Sequence, residues 1–121
     1  MLVFGLFLAG VIGAPTRFLV DGLVSGRTGG EYPVGTFVIN VSGSLLLGLL
    51  TGLVLYHGFP TAPRTVLGTG FCGAYTTFST FAYETLRLAE EGEAGAALRV
   101  VVASLLVPAL AAALGLGLAA R

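Results

Sequence analysis

The sequence predicts an all-α membrane protein, four transmembrane helices in a single domain over residues 1–121, with the third helix broken in mid-membrane. Three observations carry this reading. Hydrophobic residues make up 55% of the 121-residue chain and charged residues only 10%, against about a quarter charged in a soluble domain. Apolar stretches recur at 1–23, 33–56, 64–83 and 96–120, each near the roughly 20 residues that cross hydrocarbon as a helix. The third helix is expected to run on to residue 88. Its apolar stretch also contains "GTGFCGAYTTFSTF" (68–81), in which glycines give way to hydroxyls and two phenylalanines.

Composition excludes several classes. Six basic residues balance six acidic ones and there is no Lys, so nothing forms a basic patch for nucleic acid. The single cysteine, Cys72, cannot close an intrachain disulfide and reads as a small apolar packing residue. His57, beside Gly58 and Pro60, reads as a solvated loop residue, and no Cys/His cluster suggests a metal. Residues 2–14 are apolar enough for a signal segment. No Lys or Arg precedes them, however, and three further spans follow, so they are read as the first span.

Alternating spans put the N-terminus, the 57–63 loop and the C-terminus on one side, and the loops around 24–32 and 89–95 on the other. Arg64 and Arg121 fall on the first side, and Arg27, Arg87 and Arg99 on the second. Orientation follows the Lys/Arg bias of the loops, and here that bias is close to nil. Insertion in both directions is therefore open, and it permits an antiparallel, dual-topology homodimer. Four short helices bury several polar faces poorly alone, so further neighbours are expected. Gly10 and Ala14, Gly48 and Gly52, and Ala109 and Ala113 fit the small-xxx-small spacing of packed membrane helices.

The first span holds "GVIGAPTR" and then Asp21. Arg17 and Asp21 lie four apart on one face. Arg17 either snorkels to the surface or sits buried as a guanidinium that ties helices together and raises the positive potential for an anion. The second span, "GTFVINVSGSLLLGLLTG", places Asn40 well inside the hydrocarbon, with Ser42 and Ser44 after it. An amide there either bonds a neighbouring helix or lines a wet path as a neutral donor.

In the third span, Gly68, Gly70 and Gly73 mark where a continuous helix is least favoured. A break there frees carbonyls for a small cation and amides for an anion, provided protein or a cavity covers them. Beyond the break, at about 100° per residue, Thr77, Thr80, Phe81 and Glu84 share one arc, with Phe78 at its margin. Ring edges are electropositive, so Phe78 and Phe81 either touch an anion edge-on or simply pack at i, i+3. Glu84 either ends this polar face or pairs with Arg87 at the interface. In the fourth span, "RVVVASLLVPALAAALGLG", Pro108 removes the hydrogen bond to the Ser104 carbonyl. Ser104 is either a self-satisfied kink or one more polar step.

"GVIGAPTRF", "GTFVINVSGSLLLG" and "GTGFCGAYTTFSTFAYE", in this order on the first three of four spans, resemble the small fluoride channels called Fluc or CrcB, over the whole length of the chain. The resemblance implies an antiparallel, dual-topology homodimer in the cell membrane, with two fluoride pores that passively export toxic fluoride from the cytoplasm. It implies a structural sodium ion at the dimer centre, held by backbone carbonyls that match Gly73 and Ala74. It also implies a fluoride pathway of Asn40, Thr77, Phe78, Thr80, Phe81, Glu84 and Ser104, with Arg17 as the first-helix arginine. Val100 stands where many members carry a tyrosine, which thins the outer polar track. The implied partners are a second copy, fluoride and the bilayer.

A small multidrug-type cation/proton exporter shares the length and the number of spans. Its chemistry needs a carboxylate inside the first helix; here Arg17 precedes Asp21, and no Trp is present to stack on a cationic drug. A purely structural subunit would not need Asn40, the hydroxyl face and the rings together. No nucleophile–base pair or metal set suggests an enzyme.

Overall fold

A computed structural model describes residues 1–28 and 33–121. Six α-helices and one π-helical stretch make up the described residues, with no strand among them. Helix α1 spans Leu2–Thr28, α2 Val34–His57, α3 Thr61–Thr65, α4 Gly73–Tyr75, α5 Ser79–Glu90 and α6 Ala94–Ala119. The π-helix, Val66–Cys72, joins α3 to α4. Helices α1, α2 and α6 are each long and apolar enough to cross a membrane.

Helix α1 runs past the apolar stretch that ends at 23, because neither Gly nor Pro in a terminating pattern stops it before Thr28. Of the loop expected at 24–32, residues 29–32 lie outside the described residues and 24–28 are helical. Pro15 sits inside α1, and the neighbouring Thr16 hydroxyl donates to the Ile12 carbonyl at 2.7 Å. Helix α2 ends where Gly58 takes a left-handed φ of 67°, and its N–H closes on the Leu53 carbonyl. His57, expected in a solvated loop, is the last residue of α2, and its Nε2 lies 2.5 Å from the Ala119 carbonyl.

Helices α2 and α6 form the main pair. A Cβ at Gly48 would strike the Ala112 carbonyl, and one at Gly115 would strike the Leu45 carbonyl. Gly52 meets the Ala119 methyl in the same way. With no side chain in the way, the two backbones touch, and dispersion replaces the hydrophobic driving force that lipid cannot supply. The small residues that matter on α6 are therefore Ala112, Gly115 and Ala119. Ala109 and Ala113 face outward. On α1 the tightest position is Gly13, where an added Cβ would strike the Phe71 carbonyl, ahead of Gly10.

The outer surface is apolar. Phe7 is 66% exposed, Phe18 78% and Leu110 67%. A surface of this kind faces lipid or another chain.

Candidate functional site

The site is built where the third apolar segment stops being helical. The glycine-rich run does not break; it widens into the π-helix, with Gly70 packed on Ala9 and Leu6, and the Gly73 N–H reaches the Gly68 carbonyl. The interruption comes later, at Thr76–Phe78, where Thr76 turns extended at φ −79° and ψ 159°. The sequence placed the break at Gly68–Gly73. Gly70 instead packs closely against α1 and Gly68 faces Leu47 of α2, and a β-branched pair followed by an aromatic residue carries the irregular backbone. Thr77 and Phe78 therefore lie off the regular helix, and the shared helical arc holds only for Thr80, Phe81 and Glu84.

The Thr76 N–H and the Thr77 backbone groups at the break find defined partners. The Thr76 N–H and hydroxyl both donate to the Cys72 carbonyl, at 2.9 and 2.8 Å. Asn40 then clamps the next residue at two points. Its Nδ2 donates to the Thr77 carbonyl at 2.9 Å, and its Oδ1 accepts the Thr77 N–H at 2.9 Å. The side-chain amide thus imitates a strand neighbour, so extended backbone is satisfied at membrane depth. The Thr77 hydroxyl accepts the Thr80 N–H at 3.2 Å and so caps the start of α5. It also donates to the Thr80 hydroxyl, again at 3.2 Å.

Three carbonyls gain no such partner. The helical donor for Gly73 would be the Thr77 N–H, which Asn40 takes. Ala74 and Tyr75 lose theirs to the same change of direction, and no hydrogen bond to these three carbonyls is present among the described residues. Gly73 is exposed, and a Cβ there would meet nothing within 4 Å. The Ala74 methyl faces Gly13, where an added Cβ would come within 3.2 Å of it. Among the described residues no group of three or more His, Cys, Asp and Glu side chains could hold a metal ion.

Two cavities flank Thr77. An open groove of about 330 Å³ brings together Asn40, Gly73, Thr77, Phe78, Phe81 and Ser104. Phe78 and Phe81 lie with ring centroids 5.6 Å apart, tilted 58°. Phe81 is buried, while Phe78 is 74% exposed. On the other side of Thr77, a cavity of about 170 Å³ is lined by Arg17, Asp21, Thr36, Thr77 and Thr80. Thr77 is the one residue common to both linings.

Glu84 lines neither cavity. Its carboxylate accepts the hydroxyl of buried Thr36 at 2.5 Å, a short charge-assisted bond. Arg87 instead faces Glu91 across 3.9 Å in an exposed i, i+4 pair. Thr36 was not singled out from the sequence, although it lies four residues before Asn40 on the same helical face. Asp21 accepts from the Ser25 hydroxyl at 3.3 Å, and its carboxylate lies over Gly35, where any Cβ would collide with it. Ser104 lines the first groove and also a larger apolar one of about 420 Å³ beside Val100, Arg99 and Phe37.

A family model described as "CrcB-like protein, Camphor Resistance (CrcB)" matches residues 4–116. The chain belongs to the CrcB family. It is 46% identical over 118 residues to the fluoride-specific ion channel FluC 1 of Leifsonia xyli subsp. xyli, across 98% of this chain and 86% of that one. It is 45% identical over 115 residues to FluC 2 of Mycolicibacterium paratuberculosis, across 95% and 91%. Against FluC 2 of Cutibacterium acnes, the identity is 54% over 83 residues, 68% of each chain. Like its CrcB relatives, this chain is a multi-pass membrane protein.

Proposed function

We propose that this CrcB-family chain is a fluoride-selective channel, not an enzyme, and that it exports toxic fluoride passively through the plasma membrane. The observation that carries the reading is the 46% identity, over 98% of the chain, to a protein named as a fluoride-specific channel. The site supports it chemically. Fluoride is small and strongly hydrated, so a path must replace its water with donors while avoiding a grip too tight to release. Thr77 and Thr80 supply hydroxyls, and Asn40 keeps one N–H beyond its clamp on Thr77. Phe78 and Phe81 line the groove that Asn40 and Thr77 share, where ring edges would meet the anion. Ser104 extends that groove toward α6, and Glu84, held by Thr36, ends the polar face. Arg17 lends positive potential from the second cavity.

The fourth crossing is the interrupted run from Thr61 through Glu90, broken in mid-membrane. Two oppositely inserted copies form the conducting unit, with two pores. The balanced arginines support this, as does a 74%-exposed Phe78 beside an exposed Gly73. The carbonyls of Gly73 and Ala74, free of helical donors, would hold the sodium ion at the dimer centre. Such an ion supplies a fixed positive charge and a tie between the subunits. A multidrug-type exporter is not favoured, because α1 offers no isolated carboxylate: Asp21 is engaged by Ser25 and shares its cavity with Arg17.

The ring argument is tested with Phe78→Ile and Phe81→Ile, each expected to cut fluoride efflux from liposomes by at least about tenfold, the equivalent of roughly 1.4 kcal/mol, with the dimer retained. Wild-type flux in both variants would remove the rings from the path.

A further inference from the structure

Helix α2 touches the break at more than Asn40. Two residues along, Ser42 lies 3.0 Å from the Tyr75 hydroxyl. The Ser42 hydroxyl donates its single proton to the Ile39 carbonyl at 3.1 Å. Tyr75 is therefore the donor, and the chain runs from the Tyr75 O–H to Ser42 Oγ and on to Ile39. Tyr75 is 8% exposed and its ring stacks on Phe71, with centroids 5.4 Å apart and planes 16° apart. Tyr75 is the last helical residue before the break, two residues ahead of Thr77. Gly43, next to Ser42, faces the same stretch of the break. A Cβ there would collide with the Thr76 methyl and press on the Tyr75 ring at 3.4 Å.

The geometry points to a jig: Ser42, Gly43 and Tyr75 are positioning residues that fix the angle at which the chain leaves α4, and through it the placement of Thr77 and Phe78. The physical reason is leverage. The Asn40 clamp holds Thr77 but leaves free the rotation of the helix end that delivers it. The Tyr75–Ser42 bond removes that rotation, since it anchors α4 to α2 on the other side of extended Thr76. Gly43 lets the Thr76 methyl sit against α2, so the two anchors can lie within one turn of each other. None of the three would touch the ion, so their effect on conduction rests on the channel reading above, while their effect on the backbone does not.

The test uses full-length protein reconstituted in liposomes, with Tyr75→Phe, Ser42→Ala, the double variant and Ser42→Thr. Fluoride efflux is expected to fall about fivefold in each of Tyr75→Phe and Ser42→Ala, the factor one hydrogen bond commands. The double variant should be no worse than either single one, because both remove the same bond. Ser42→Thr keeps the hydroxyl and should conduct like wild type. A second readout is amide hydrogen exchange over residues 73–80, which should quicken in Tyr75→Phe and Ser42→Ala with the melting temperature unchanged. A role in bulk stability alone would move the melting temperature and leave exchange confined to global opening. If Tyr75→Phe does not assemble, Ser42→Ala removes the bond from its outward-facing partner. Wild-type exchange and wild-type flux in Ser42→Ala would overturn the jig. If the wild-type protein carries no fluoride, the channel reading fails, and the exchange result alone decides the jig.

Discussion

At the residue scale, Asn40 holds the most consequential position. Its amide makes two 2.9 Å bonds to one backbone residue, so it is a structural member before it is a conduction residue. Asn40→Asp keeps an acceptor for the Thr77 N–H, turns the donor to its carbonyl into a repelling oxygen and adds a negative charge beside the proposed anion path. Flux is expected to fall below about one-tenth of wild type, from loss of a buried bond worth about 1–3 kcal/mol as well as from repulsion. A fluoride electrode on liposomes checks this; normal conduction would place Asn40 outside both roles. The sequence showed that Asn40 was costly where it stood, and left open whether it bonded a helix or lined a path. Its partner is a backbone group 37 residues away, and no pattern of side chains reveals that. Glu84 and Thr36 pose the same difficulty across 48 residues. Asn40 and Glu84 were legible as polar residues at depth, but the partner of neither was.

At the element scale, glycine decides which surfaces meet. The α2–α6 contact depends on bare backbone at Gly48 and Gly115. Gly48→Leu would press a side chain into the Ala112 carbonyl and force the pair apart. Overpacking of this kind costs about 1–3 kcal/mol, so the melting temperature in detergent should drop by several degrees. Ala113→Leu, on an outward face, should change it little if lipid alone covers that face. The two measured together separate helix pairing from surface change; equal effects would refute the contact. The small residues were visible as a spacing, but Ala109 and Ala113 fit that spacing as well as the residues actually used. Spacing gives a helix face, and only the close approach at Gly115 fixes the rotation. The third segment teaches a similar lesson. Glycines suggested a break at 68–73, yet packed glycines held the chain in a π-helix, and the break fell on "TTF". Low helix propensity identifies a weak segment and leaves to tertiary contacts where it yields.

At the scale of the whole molecule, one copy leaves polar and aromatic groups of the candidate site at its surface. Phe78, outward-facing Ser42 and exposed Gly73 lie at the surface of one chain, beside carbonyls without donors. The proposal of two oppositely inserted copies covers them. It predicts that single cysteines at Thr61 and at Glu93, on a Cys72→Ser background, each label from both sides of the native membrane. Labelling from one side only would contradict dual insertion while leaving the family assignment intact. The sequence carried the membrane class, the family and the arginine balance plainly. A dimer axis leaves no comparable trace in a single chain.

The central claim is that this chain moves fluoride. Its most direct test is passive efflux from liposomes holding the purified wild-type protein, followed in parallel with fluoride and chloride electrodes. The account predicts rapid fluoride release with chloride retained. Equal release of both ions, or no fluoride release from vesicles that hold folded protein, would contradict it.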